Sequence, residues 1–165
     1  MTRDHFVLTE NGWVPNNPRL PVILYGDVSA AGGSLADQFE ALFAGNGWQG
    51  IWRNGIFDYH HYHTTAHEVL GIAMGQAKLV LGGPDGRELQ VKAGDCLVLP
   101  AGTGHCRVSA SDDFLVVGAY PRGQDPDLRR SDSGVNGRRC ITTLPLPDTD
   151  PLGADGVPLL WKSGT

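Results

Sequence analysis

The chain reads as short apolar runs, each broken by glycine, proline, asparagine or aspartate before it reaches the length of a long helix. Phe6-Val7-Leu8 and Val22-Ile23-Leu24-Tyr25 lie on either side of Pro15-Asn16-Asn17-Pro18, a breaker cluster, and predict an extended N-terminal arm with one or two strands. Residues 34–45 differ. Ser34 is followed three places on by Asp37, a capping pair, and Leu35, Phe39, Leu42 and Phe43 fall on one helical face before Gly45-Asn46-Gly47 ends it. This is the one helix the pattern predicts.

From Trp48 the period becomes two. Ile51-Trp52-Arg53 leads through the turn signal Asn54-Gly55 to Phe57–His63, where alternation sets Phe57, Tyr59, His61 and His63 on one face and Asp58, His60 and Tyr62 on the other. Glu68, Leu70, Ile72 and Met74 form the next alternating set. Ala77–Leu81 and Glu88–Val91 flank Gly82-Gly83-Pro84-Asp85-Gly86, a hairpin by composition. Cys96–Leu99 runs into Pro100-Ala101-Gly102-Thr103-Gly104, which delivers His105 onto a new strand, and Phe114–Tyr120 is the last long one. Roughly six to eight short strands with frequent turns argue for an all-β sandwich or barrel. Beyond Pro121 the chain is rich in Gly, Pro, Asp and Arg to Arg139, Ile141–Leu146 reads as extended, and Pro158-Leu159-Leu160-Trp161 is apolar enough to dock on this subunit or a neighbour's.

Composition narrows the class. With 165 residues, 23 of them Gly and 11 Pro, the chain is expected to form a single domain over 1–165, with a barrel core at about 48–121, an N-terminal arm at 1–47 and a loop-rich tail at 122–165. Thirteen basic against 18 acidic residues leave no general positive field for nucleic acid. No apolar run approaches the roughly 18 residues of a membrane span, and the N-terminus lacks a basic segment followed by an apolar core, so a cytoplasmic protein is expected. Cys96, Cys106 and Cys140 form no C-x-x-C spacing and are read as free thiols, buried or half-buried.

Chemistry concentrates where the strands carry histidine. His60, His61, His63 and His67 fall within eight positions, followed by Glu68. Residues two apart on a strand point the same way, so His61 and His63 can offer both imidazoles to one ion. A third imidazole would complete the shell, and the stretch Gly94–His105 ends in one. Alternation turns His60 and His67 away from the site, although the break at Thr64-Thr65-Ala66 leaves His67 open as an alternative ligand.

Written as spacing, the first stretch is G-x5-H-x-H-x4-E-x6-G on Gly55, His61, His63, Glu68 and Gly75; the second is G-x5-P-x-G-x2-H on Gly94, Pro100, Gly102 and His105. These resemble the two motifs of the cupins, small barrels built on a double-stranded β-helix or jelly roll. Nine of ten motif positions match, the exception being Ser109 where the family usually has Asn. Five fixed positions match by chance on the order of once in several million starting points. The resemblance implies that His61, His63, Glu68 and His105 bind one metal inside the barrel. The flanks, with Pro15-Asn16-Asn17-Pro18, Asn46-Gly47-Trp48 and Leu159-Leu160-Trp161, are similar to a group of small bacterial single-domain cupins without an established reaction.

Three neutral imidazoles and a carboxylate suit one divalent transition metal, Fe, Mn, Ni or Zn, and affinity order alone does not choose among them. Four protein ligands in an octahedron would leave two positions for water or substrate. Parity then selects Phe57, Tyr59, Ile72, Met74 and Arg107 as pocket-lining residues, with Arg107 suited either to a substrate carboxylate or to an internal ion pair, and turns Cys106 outward. No P-loop, dinucleotide fingerprint or serine elbow is present. The expected function is therefore a metal-dependent enzyme, dioxygenase- or isomerase-like, acting on a small polar molecule; the alternative is a non-catalytic module that binds or senses a small-molecule ligand through its metal. Jelly rolls bury exposed strands and apolar tails against a partner, so a homodimer is expected.

Overall fold

The computed structural model describes residues 1–162. Nine strands form two antiparallel sheets. They are β1 (Thr2–Phe6), β2 (Val22–Gly26), β3 (Trp48–Asn54), β4 (Glu68–Met74), β5 (Gln76–Leu81), β6 (Arg87–Lys92), β7 (Cys96–Leu99), β8 (His105–Ala110) and β9 (Leu115–Pro121). The larger sheet has the order β1-β2-β7-β4-β9-β3 and the smaller β6-β5-β8. Consecutive strands repeatedly fall in different sheets, the mark of a jelly roll. Both strands of the N-terminal arm join the larger sheet, β1 on β2 and β2 on β7.

Helix α1 (Leu35–Gly45) starts where its capping residues require: Ser34 Oγ accepts from Asp37 N at 3.1 Å, and Asp37 Oδ2 accepts from Ser34 N at 3.1 Å. It buries Phe39 and Phe43 on the outer face of the larger sheet. Phe39 lies flat against Gly71, where a Cβ would come within 2.7 Å of the ring. The core thus has two parts. Leu70, Ile72, Leu97, Leu99 and Val116 of the large sheet meet Ala77, Leu79, Leu81 and Val91 of the small one between the sheets, while Val69, Ala73, Val98, Val117 and Ala119 face α1 and the C-terminal segment outside. Six of the seven residues of β4 are buried because both its faces are covered.

Three expectations change. Residues 57–63 do not form a strand; only single bridges, His61 with His105 and Tyr62 with Arg129, hold that stretch. The tail is not loop throughout, because α2 (Gly134–Thr143) occupies part of it and Ile141 is a buried helical residue rather than an extended one. Cys140 on that helix is exposed, unlike Cys96 and Cys106. The apolar terminus docks on this subunit as a π-helical turn, Val157–Lys162. Its Trp161 is fully buried, and the indole Nε1 donates to Pro21 O at 2.9 Å.

Candidate metal centre

The site is assembled from three segments that approach one another at one end of the space between the sheets. His61 and His105 form an isolated antiparallel bridge, His61 N to His105 O at 3.2 Å and His105 N to His61 O at 2.9 Å, which sets their rings side by side with centroids 4.0 Å apart. Gly102 N donates to His63 O at 2.7 Å, tying the turn at 100–104 to the same stretch. Gly102 has φ +92°, and a Cβ there would meet Asn16 O at 2.7 Å, so glycine is required on both counts. Glu68 opens β4, paired with Leu99 of β7. The four residues expected to share a site are therefore adjacent: one ligand nitrogen from each of His61, His63 and His105 lies within 4.8 Å of the others, a group able to hold a metal ion. Glu68 joins from one side, with Oε1 3.1 Å from His105 Nε2 and 3.4 Å from His63 Nε2.

The hydrogen bonds fix which nitrogen of each ring faces the site. His61 Nδ1 pairs with Tyr59 O at 2.9 Å, His105 Nδ1 with Thr103 O at 3.0 Å, and His63 Nδ1 with Asp127 O. A carbonyl only accepts, so each Nδ1 carries a proton and each Nε2 is the nitrogen turned towards the site. Glu68 Oε1, buried among them, has no hydrogen-bond donor. Three imidazole Nε2 atoms and a buried carboxylate oxygen at close range form a donor set that fits a divalent ion.

Electrostatics agree. Burial and then the neighbouring His105 push His61 down to about 3, keeping that ring neutral. Burial would also lower His63, but the Glu68 carboxylate outweighs it and lifts the ring to about 8, so this ring sheds a proton when an ion takes its place beside Glu68. For Glu68, burial acts upward, yet His63 and His105 hold its carboxyl well below the usual range. The loop after β9 braces His63. The Asp127 carboxylate accepts from Thr64 N at 2.6 Å, Thr64 Oγ1 at 2.5 Å and Arg129 Nε at 2.8 Å, while its backbone carbonyl accepts from His63 Nδ1.

The cluster opens onto a cavity of about 380 Å³. Phe57 and Arg107 line it as expected, but Tyr59, Ile72 and Met74 do not. Tyr59 stacks on Phe57 from behind, with ring centroids 4.8 Å apart, and Arg130 lies 3.7 Å over its other face. Ile72 is buried in the packing between the sheets, and Met74 lies beyond a register shift in β4 that turns it out to 47% exposure. Cys106 is absent from the cavity wall, though it is buried rather than exposed.

Among the wall residues that were not anticipated are three aromatic ones, Trp52, Phe114 and Tyr120. Trp52 pairs with Gly118 across β3 and β9, and its indole occupies the space where a Cβ on Gly118 would be, 2.1 Å away. Tyr120 accepts from Trp52 Nε1 at 2.9 Å, and its hydroxyl faces Glu68. Burial and that carboxylate push its pKa up, so the phenol keeps its proton. The signal for Tyr120 was its parity with Gly118, which follows only once the register of β4 on β9 is known.

His67 has the opposite character. It is fully buried, its Nδ1 accepts from Ala101 N at 2.9 Å, and its ring lies 4.9 Å from Trp161. It belongs to the packing outside the sheet. His60 is half-buried and outside the group of ligand nitrogens.

The protein YjlB of Bacillus subtilis, uncharacterized in function, is 35% identical over 157 residues, covering 94% of this chain and 93% of YjlB. With the jelly-roll sheets and both motifs on one site, this decides the family. The chain is a cupin of the YjlB family. No protein-family model matches it. Among solved structures, acireductone dioxygenase from Bacillus anthracis, with a cadmium ion in its active center, is 20% identical over 56% of this chain and 64% of its own, with a TM-score of 0.38. A DUF861 family protein from Thermotoga maritima is 17% identical over 50% of this chain and 86% of its own, with a TM-score of 0.33. An oxalate decarboxylase from Bacillus subtilis is 18% identical over 71% of this chain and 27% of its own, with a TM-score of 0.31. Among the described residues no helix of this cupin is long and apolar enough to cross a membrane.

Proposed function

We propose that this cupin is a metal-dependent enzyme of small-molecule chemistry, dioxygenase- or isomerase-like, with one divalent ion held by His61, His63, Glu68 and His105. The observation that carries the reading is the convergence of three imidazole Nε2 atoms and the buried Glu68 Oε1 on a cavity open to solvent. When bound, the ion supplies Lewis acidity and, if it is Fe or Mn, redox chemistry. The chain's own residues set the surroundings. Tyr120 holds a proton beside Glu68, Trp52 fixes that hydroxyl, and the aromatic wall of Trp52, Phe57 and Phe114 lowers the water content next to the cluster. A metal serving only to hold the fold would be enclosed on all sides. Elemental analysis of purified protein together with oxygen uptake on candidate substrates tests the reading. Stoichiometric iron or manganese with substrate-dependent turnover is expected; tightly held zinc with neither oxygen uptake nor isomerisation would turn the assignment to a ligand-binding module.

A further inference from the structure

The cavity wall mixes aromatic side chains with few charged ones. Its charged lining residues are Glu68, committed to the histidine cluster, and Arg107. Arg107 is anchored without being neutralised. Its Nε donates to Ile56 O at 3.1 Å, which sets the plane of the guanidinium, and the carboxylate near its terminal nitrogens, Asp58, lies 4.0 Å away and largely in solvent. An exposed contact at that distance is a weak claim on a guanidinium. Between this group and the cluster the wall is aromatic, Trp52, Phe57 and Phe114, and Phe57 is half-exposed although it is a large apolar side chain.

We infer that the cavity takes an amphipathic carboxylate, a small acid whose aromatic or branched apolar body lies against Trp52, Phe57 and Phe114 while its carboxylate meets Arg107. The inference rests on the proposed function in that the other end of the acid faces the metal cluster. Charge supports it: a divalent ion with one carboxylate ligand leaves a net positive site, and Arg107 adds a second positive charge on the same wall, so an anion is the complementary ligand. Shape supports it as well. His105 and Arg107 are two residues apart on β8, a backbone step of about 7 Å, so a small molecule suffices to reach from one to the other. The uncharged polar side chains of the lining, Asn54, Ser111 and Tyr120, already hydrogen-bond within the chain, which leaves few partners to a polyol. The lining has no lysine and no second arginine for a phosphate, and planar bidentate pairing of one guanidinium suits a carboxylate.

Calorimetric titration of 3-phenylpropanoate, 3-phenylpropanamide and acetate into the full chain tests this, with metal content measured on the same samples. The wild type is expected to bind the phenyl acid at least about tenfold more tightly than either the amide or acetate. Arg107→Gln is expected to abolish the preference for acid over amide, and Phe57→Ser, a half-exposed position that the fold tolerates, to weaken acid and amide alike. Equal binding of acid and amide by the wild type, no binding of either, or an acid preference that survives Arg107→Gln would overturn the inference. Full metal content without an acid preference overturns the inference and leaves the metal reading intact. An Arg107-dependent acid preference in protein that takes up no metal supports the inference while removing the metal reading.

Discussion

On the outer face of β4, Val69 and Ala73 belong to one apolar cluster with Phe39, Phe43 and Trp161, and Tyr25 and Asp150, which enter this layer, meet partners, although His67 Nε2 does not. Tyr25 donates to Asp150 at 2.6 Å and accepts from Gly156 N at 3.1 Å; Asp150 also takes Val157 N and Leu152 N. On the inner face, Leu70 and Ile72 are buried as well, but the strand begins with Glu68, whose Oε1 is buried among three imidazole Nε2 atoms. Two glycines record the same division: Gly71 admits Phe39 outside, and Gly118 admits Trp52 inside, where the ring becomes a cavity wall. The outer face is closed by packing; the inner face gathers four donors of the kind that hold a divalent ion. The histidines show how this is encoded. His67 and His61 belong to one short stretch, yet His67 uses Nδ1 as acceptor and His61 uses it as donor, so opposite ring nitrogens carry the proton.

The largest effect that separates the two faces is on metal content. His61→Ala with His105→Ala is expected to lose essentially all bound metal, whereas His67→Asn keeps it, as read by elemental analysis after dialysis. Retention by the double variant would erase the distinction. Next, Trp161→Ala removes a fully buried indole from the outer layer and is expected to cost about 3–5 kcal/mol in denaturant unfolding with metal stoichiometry unchanged.

How much of this the residues disclosed depends on the range of the interaction. His61, His63, Glu68 and His105 could be found because fixed spacing and turn glycines are local properties. Parity still described His61 and His63 although no strand runs through 57–63, because the bridge to His105 and the Tyr62–Arg129 bridge hold those residues extended. It failed at Met74, where a bulge shifts the face, and at Tyr120 and Trp52, whose role follows from strand register. Helix α2 was illegible for another reason: Gly134, Asn136 and Gly137 are poor helix formers, and Ser133 makes no side-chain cap, so tertiary packing of Ile141 and Gly137 carries it. The docking of the terminal Trp161 was foreseen from its apolarity, its Pro21 partner was not.

A smaller effect is expected from pH. Burial holds His67 down at about 4 in the folded chain against about 6.5 when unfolded. The unfolded chain therefore binds the extra proton between those values. Stability from the neutral ring is complete above pH 6.5, falls as pH drops towards 4, and is lost below that, a contribution of about 3 kcal/mol. The wild type should lose this stability on acidification, and His67→Asn should lack that part of the slope in denaturant titrations across pH 7 to 4; parallel slopes would show that the ring is not held neutral. Smallest of all, Met74→Lys, outside the cavity and half-exposed, should change stability by no more than about 0.5 kcal/mol and leave metal content intact. A large loss there would mean that Met74 belongs to the inner face.

The claim that the inner face is completed by a cation is tested most directly by a crystal structure of the metal-loaded protein, read by anomalous scattering at the absorption edge of the added ion. One ion is expected at about 2.0–2.2 Å from the Nε2 atoms of His61, His63 and His105 and from a Glu68 oxygen, with each Nδ1 still on its carbonyl. Anomalous density elsewhere, or none at the cluster under saturating metal, would contradict the account.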